Sequence, residues 1–239
     1  MKSIFEFAGQ KSSDFFMSVE SIPPYISGER VIESYDVAGR SGRLTHDTGT
    51  FTNYTMPYEV WFKAPKGVTA QALAQDVTNW LQGARGYQRL EDSYNPNIYR
   101  MAIFSNPVEF SDWFFKYGRG TIEFDCKPQK WLKSGEIEQI INKGDALYNR
   151  YQPATPLIKI KGSGTGTIKI GDYTVGISEI PVDGLTIDCE SQNAYTGLTN
   201  QNNLVTVPNG FPVLERGENV IKFNDAITEF KMIPRWWIV

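Results

Sequence analysis

Apolar residues recur at every second position through the latter part of this chain, in short runs broken by Gly, Asn, Asp and Pro, and that period leaves little room for anything but strands. Leu157-Ile158-Lys159-Ile160-Lys161 opens the series, and residues 167–170, 173–175, 185–187, 205–207, 220–223 and 229–233 continue it. Side chains alternate between the two faces of a strand, so each run can bury only one face. Several such runs at short intervals, with no helical stretch between them, predict an all-β sandwich.

The first half mixes the same signal with one exception. Strand candidates lie at residues 4–7, 31–37, 58–63, 87–90, 99–104, 110–115 and 120–127, and Gly39 and Gly42 mark a hairpin or bulge after the second of them. Between them Ala70, Leu73, Val77, Trp80 and Leu81 recur at helical spacing, with Thr69 placed as N-cap and Gly83 placed to stop the helix. A single amphipathic helix has to bury its stripe, and the adjacent sheet is the available surface. A β-sandwich with one helix accounts for residues 1–133. Pro128, Pro153 and Pro156 surround a polar stretch in which the pattern breaks, so residues 134–155 read as a linker and 156–239 as a second domain.

Chemistry is scarce. The one histidine, His46, lies in Leu44-Thr45-His46-Asp47-Thr48-Gly49 and reads as a turn-proximal, half-exposed residue, and no Gly-x-Ser-x-Gly elbow accompanies it. One His and two distant Cys do not make a zinc set, no EF-hand spacing is present, and Gly162-Ser163-Gly164-Thr165-Gly166 reads as a hairpin between two alternating runs rather than a phosphate cradle. The expectation is therefore no enzyme, no cofactor and no metal. Cys126 and Cys189, far apart and each in an alternating run, read as two free thiols rather than a disulfide, and the expected setting is a reducing cytoplasm. The start of the chain has no signal-peptide pattern and no stretch of about 18 apolar residues suits a membrane. A net charge of −3 argues against adhesion to nucleic acid.

Aromatic residues make up 13% of the chain, which suits both strand packing and interfaces. Alternation continued from Glu229 would place Trp236 and Trp237 on opposite faces, so that one joins a core and the other meets a loop of the same chain or a partner. Arg235, Trp236 and Trp237 are thus the candidate docking residues. The same aromatic content and the second sandwich keep a carbohydrate-binding module as the rival reading, while Asp183, Asp188 and Glu190 are the carboxylates on which glycoside hydrolysis, a weaker reading, would depend.

Taken in order, Gly39-Arg40-Ser41-Gly42, Asn79-Trp80-Leu81, Ile187-Asp188-Cys189-Glu190, Asn193-Ala194-Tyr195, Gly210-Phe211-Pro212-Val213-Leu214, Gly217-Glu218-Asn219 and Pro234-Arg235-Trp236-Trp237 resemble the distal tail (Dit) proteins of siphophages and prophages. The resemblance spans nearly the whole chain. It implies a mainly β protein with a tail-tube-like N-terminal β-sandwich carrying one α-helix and a galectin-like C-terminal β-sandwich. It also implies a virion protein of the tail tip, assembled in the host cytoplasm, whose hexameric ring joins the tail tube to the baseplate used in host adsorption. The partners so implied are further copies of the chain, the tail tube protein, the tail-tip or tail-associated lysin protein, and the tape measure or receptor-binding proteins. DNA would pass through the lumen without specific binding.

Overall fold

The structure, a computed structural model, describes residues 3–114 and 116–239, and short strands dominate it. Its residues fall into two units, one running to Lys130 and including Val239, the other Trp131–Ile238.

In the first unit the elements are β1 (Phe5–Phe7), β2 (Gln10–Lys11), β3 (Met17–Val19), β4 (Arg30–Asp36), β5 (Arg43–Phe51), β6 (Tyr54–Lys63), α1 (Ala70–Gly83), β7 (Gln88–Asp92), β8 (Ile98–Ile103), β9 (Phe110–Phe114) and β10 (Tyr117–Leu132), the last two residues of β10 belonging to the second unit. The strand expected over 110–115 is present as β9; Phe115 lies outside the described residues. The main sheet runs β2-β1-β7-β8-β10-β6-β3, with β9 paired to β10. Four strand spacings separate β1 from β6, roughly 19 Å in a flat sheet. Yet the Phe5 and Tyr58 rings are 5.1 Å apart. The sheet therefore curls until its halves face each other, and Phe124 closes the cluster at 4.8 Å from Phe7. Helix α1 packs Leu73, Val77, Trp80 and Leu81 into the same core. Thr69 caps it by accepting the Ala72 N–H, and the Trp80 indole donates to the Phe7 carbonyl at 3.1 Å. Pro57 is tolerated within β6 because it lies in the half that β3 does not cover.

Burial of Asp92 and Arg100 in this unit is matched by full pairing. The Arg100 guanidinium donates to Asp92 at 2.8 Å and to the Tyr54 hydroxyl at 3.2 Å; Asp92 also accepts from the Tyr58 hydroxyl and from the Tyr94 and Asn95 N–H groups. Such a network costs most when half of it is removed.

The second unit contains β11 (Gln139–Ile140), β12 (Ala146–Asn149), β13 (Leu157–Gly162), β14 (Gly166–Ile170), β15 (Tyr173–Ile177), β16 (Leu185–Asp188), β17 (Asn193–Thr196), β18 (Thr199–Asn200), β19 (Val205–Thr206), β20 (Gly217–Phe223), β21 (Ile227–Ile233) and β22 (Trp237–Ile238). Two antiparallel sheets, β11-β21-β13-β16-β17-β18 and β12-β20-β14-β15-β19, enclose a core of Ile158, Ile160, Leu185, Ile187, Phe230 and Met232 from one side and Ile168, Ile170, Val175, Ile177 and Ile221 from the other. Phe223 stacks on Phe230 at 5.2 Å between the sheets. This is a β-sandwich, the architecture expected from the alternation.

Two expectations give way. The supposed linker, 134–155, supplies β11, paired to β21, and β12, paired to β20, and it buries Ile141 and Asn149. Its polar composition reflects short outer strands rather than a tether. Gly162 to Gly166 is no hairpin either, since β13 and β14 lie in different sheets. The glycines let the chain cross between the sheets: a Cβ on Gly162 would stand 1.9 Å from the Ala226 oxygen, and Gly164 has φ +77°.

Replacing Asp92 with Ala strands the buried Arg100 charge, and we expect it to destabilise the first unit by about 3–5 kcal/mol in denaturant unfolding. A loss below about 1 kcal/mol would mean that water reaches and solvates Arg100.

Candidate assembly surfaces

Among the described residues, strands β4 and β5 pair only with each other, apart from the main sheet. Gly39 and Gly42, at φ +78° and +85°, form the turn between them, as the sequence indicates. Nearly every residue of the hairpin is exposed, including the large apolar side chains of Ile32, Tyr35 and Leu44, with Val37 beside the turn. Cross-strand polar contacts hold it: Arg30 reaches Asp47 at 2.7 Å, Arg43 reaches Asp36 at 3.2 Å, and the Thr48 hydroxyl donates to the Val31 carbonyl. An isolated two-stranded ribbon is marginal in water. At its base the Thr52 N–H donates to the Glu29 carbonyl at 2.9 Å, so the two ends of the excursion meet. His46 lies here, exposed in β5 opposite Glu33, and not in a turn.

The end of the chain departs from simple alternation. Strand β21 stops at Ile233, Pro234 supplies no N–H, and Arg235 takes the left-handed conformation, φ +57°. That conformation is held from two sides. The Arg235 N–H donates to the Gly135 carbonyl at 2.8 Å, and its guanidinium grips both Asp188 oxygens at 2.5 and 3.3 Å, with Glu190 at 3.3 Å. Gly135 has to be glycine, because a Cβ there would lie 2.3 Å from the Trp236 nitrogen. The turn sends Trp236 into the second core, while the Trp237 indole donates to the Pro153 carbonyl at 2.8 Å. Of the three candidate docking residues, Trp236 is thus buried, Arg235 is half-buried in its ion pair, and Trp237 is half-buried against a loop of its own unit.

Burial alone would raise the Asp188 carboxyl, but the hydrogen bond and charge of Arg235, with the Glu190 N–H, outweigh it and hold Asp188 below the usual range. Cys189 beside it is buried and pushed up to about 12 by burial, so it stays a thiol. Cys126, in the first unit, is likewise free, buried and pushed up to about 12.

A depression of about 240 Å³ on the second unit is lined by Glu138, Lys159, Lys161, Asp183, Glu229 and Lys231 among others. Ion pairs tile it, Lys159 to Glu138 at 2.6 Å and Lys231 to Glu229 at 2.9 Å, and no aromatic ring lines it. Binding sites for small organic ligands usually combine apolar or aromatic walls with a few polar groups, and here charged side chains outnumber the apolar ones, Ile160 and Leu185. Among the described residues no group of three or more His, Cys, Asp or Glu could hold a metal, and no helix is long and apolar enough to cross a membrane.

Neither the protein-family models nor the curated proteins compared with the chain match it. Among solved structures, the Dit protein (gp 19.1) of SPP1, described as a paradigm of hub adsorption apparatus in Gram-positive-infecting phages, superposes with a TM-score of 0.78 over 97% of each chain at 11% identity. The two share a fold. A match over almost all of both chains extends to both units, although so few residues are identical that the shared property is backbone architecture.

A carboxylate held low in the folded state stabilises above its unfolded pKa, and that stability is lost as pH falls through the folded value. The second unit should accordingly lose stability on acidification below about pH 4, the ordinary carboxylate range. Asp188→Asn should flatten that part of the pH profile in thermal melts; an unchanged acid limb would show that the Arg235 pair contributes nothing to it.

Proposed function

We propose that the chain is a structural hub of a phage tail, a distal tail protein whose first unit closes a ring of six copies. It joins the tail tube to the tail tip and host-adsorption device, with DNA passing through the lumen, and it performs no catalysis. The fold shared with the Dit protein of SPP1 supports the hub reading. Six copies and the tube, tail-tip, tape measure and receptor-binding neighbours come from the resemblance in sequence.

The observation that carries the assembly reading is the β4–β5 hairpin. It buries none of its own apolar side chains in either core, and Ile32, Tyr35, Val37 and Leu44 stand in solvent. A ribbon of that kind gains stability by lying on another surface, and a neighbouring copy supplies one at every step of a ring. Head-to-tail contacts with a fixed rotation close on themselves, which suits a tube end. The chain's slight net negative charge suits a lumen that must not hold a polyanion. The ion-paired, ring-free depression on the second unit gives no support to a sugar-binding module.

Electron microscopy of the purified chain, alone and mixed with the tube and tail-tip proteins, tests this reading. Sixfold rings are expected. Replacing residues 31–50 with a short Gly-Ser linker, which the contact between Glu29 and Thr52 permits, should leave a folded chain that no longer forms rings. A strictly monomeric species in every mixture would overturn the proposal.

A further inference from the structure

The strap of residues 20–29 leads from the main sheet into the hairpin. Its start is pinned by the Glu20 N–H on the Glu59 carbonyl at 2.8 Å and by the Ser21 hydroxyl on the Glu59 carboxylate at 2.7 Å. Its end is pinned at Gly28, where a Cβ would stand 2.3 Å from the Thr52 oxygen. Between these points Tyr25 is 75% exposed, an unusual state for a ring with fixed contacts. Two contacts hold it: the hydroxyl donates to the Val239 carbonyl at 2.9 Å, and the ring face covers Lys130. Its Nζ lies 4.1 Å from the centre of the Tyr25 ring and 5.3 Å from that of Tyr54.

Lys130 is 1% exposed, and its Nζ has no hydrogen-bond partner among the described residues. A buried ammonium with three unsatisfied donors is costly, and two ring faces return only part of what hydration supplied. Asp92, a buried carboxylate of this unit, is already taken by Arg100 and Tyr58. The groups facing Lys130 are the two tyrosine rings, the Arg100 guanidinium and the Cys126 thiol; none is an anion, since burial keeps both the thiol and the Tyr54 hydroxyl protonated. Of the two rings, Tyr54 is buried in the core, whereas Tyr25 stands on its outer side.

We propose that Tyr25 is a lid over Lys130, and that this contact latches the strap until the hairpin is released toward a neighbouring copy. The lid stands on its own geometry; its role in releasing an arm rests on the assembly reading above. Burial first, then the charge of Arg100, pulls the Lys130 amine down to about 8 from 10.5. The closed form thus binds its proton less readily than the open one. Closure is firmest when the amine is neutral, and opening becomes easier as pH falls from 10.5 toward 8, with no further gain below that. Cytoplasmic and environmental pH near neutrality then keeps the latch in its weaker, releasable condition.

Trace acetylation of the intact chain at pH 7.5, under dilute conditions without assembly, tests the lid, with peptide mass spectrometry comparing Lys130 with the exposed Lys66. An uncovered Lys130 amine should label at about the rate of Lys66. With the lid closed, Lys130 should instead label about tenfold slower or less still, limited by local opening. Tyr25→Ala should bring it to about the rate of Lys66, while Tyr25→Phe, which keeps the ring and removes only the hydrogen bond to Val239, should leave it more protected than Tyr25→Ala does. Labelling of wild-type Lys130 at or above the rate of Lys66, continued protection in Tyr25→Ala, or equal labelling in Tyr25→Phe and Tyr25→Ala would each overturn the proposal. A chain that labels as expected yet never forms rings retains the lid and loses only the assembly reading.

Discussion

Phe5 stacks on Tyr58 on one side and on Trp80 on the other, at 5.1 and 5.6 Å, and the first unit is organised by that sandwich of rings. A sheet with aromatic residues on one face loses most by leaving them wet, since each large apolar side chain that is fully buried contributes roughly 1.5–3 kcal/mol. Curling the sheet lets β1 and β6 share one core and gives α1 a place to dock. It also divides the residues sharply. Strands whose alternate side chains reach the ring cluster belong to the core, whereas β4 and β5 have none that do and project as a separate ribbon. The surface proposed for assembly is what the aromatic core leaves out.

The period-2 runs announced most strands, because each strand buries alternate residues against a core and that pattern is written locally. Helix α1 was equally legible: Thr69 and the spacing of Leu73, Val77 and Trp80 mark its start and its buried face. The sequence was silent where the information is nonlocal. Asp188 and Arg235 meet because Leu157 of β13 pairs with Asp188 on one side and Ile233 on the other, and no spacing between residues 188 and 235 reveals that. Gly162 to Gly166 misled because a turn between strands of one sheet and a crossing between two sheets have the same composition. The hairpin did leave a signal, in the unbroken polar run Thr45-His46-Asp47-Thr48-Gly49-Thr50, which has no apolar face to bury.

At the other end of the chain, the same economy of contacts fixes the last residues. Terminal segments fray unless they are tied down. Here a left-handed Arg235, its ion pair with Asp188 and a glycine opposite Trp236 combine to seat one tryptophan in the core and rest the next on Pro153. Arg235 therefore acts in the fold of the second unit through Asp188, and Trp236 through packing. Trp237, half-buried with its polar edge already satisfied, is the member of the trio with surface left to offer.

Amide hydrogen exchange across residues 30–51, compared between the dilute chain and the chain at a concentration or in a mixture that assembles it, most directly tests whether the hairpin is an arm that needs a second copy. The account predicts rapid exchange in the dilute chain and strong protection confined to this segment on assembly. Equal exchange in the two states would contradict it.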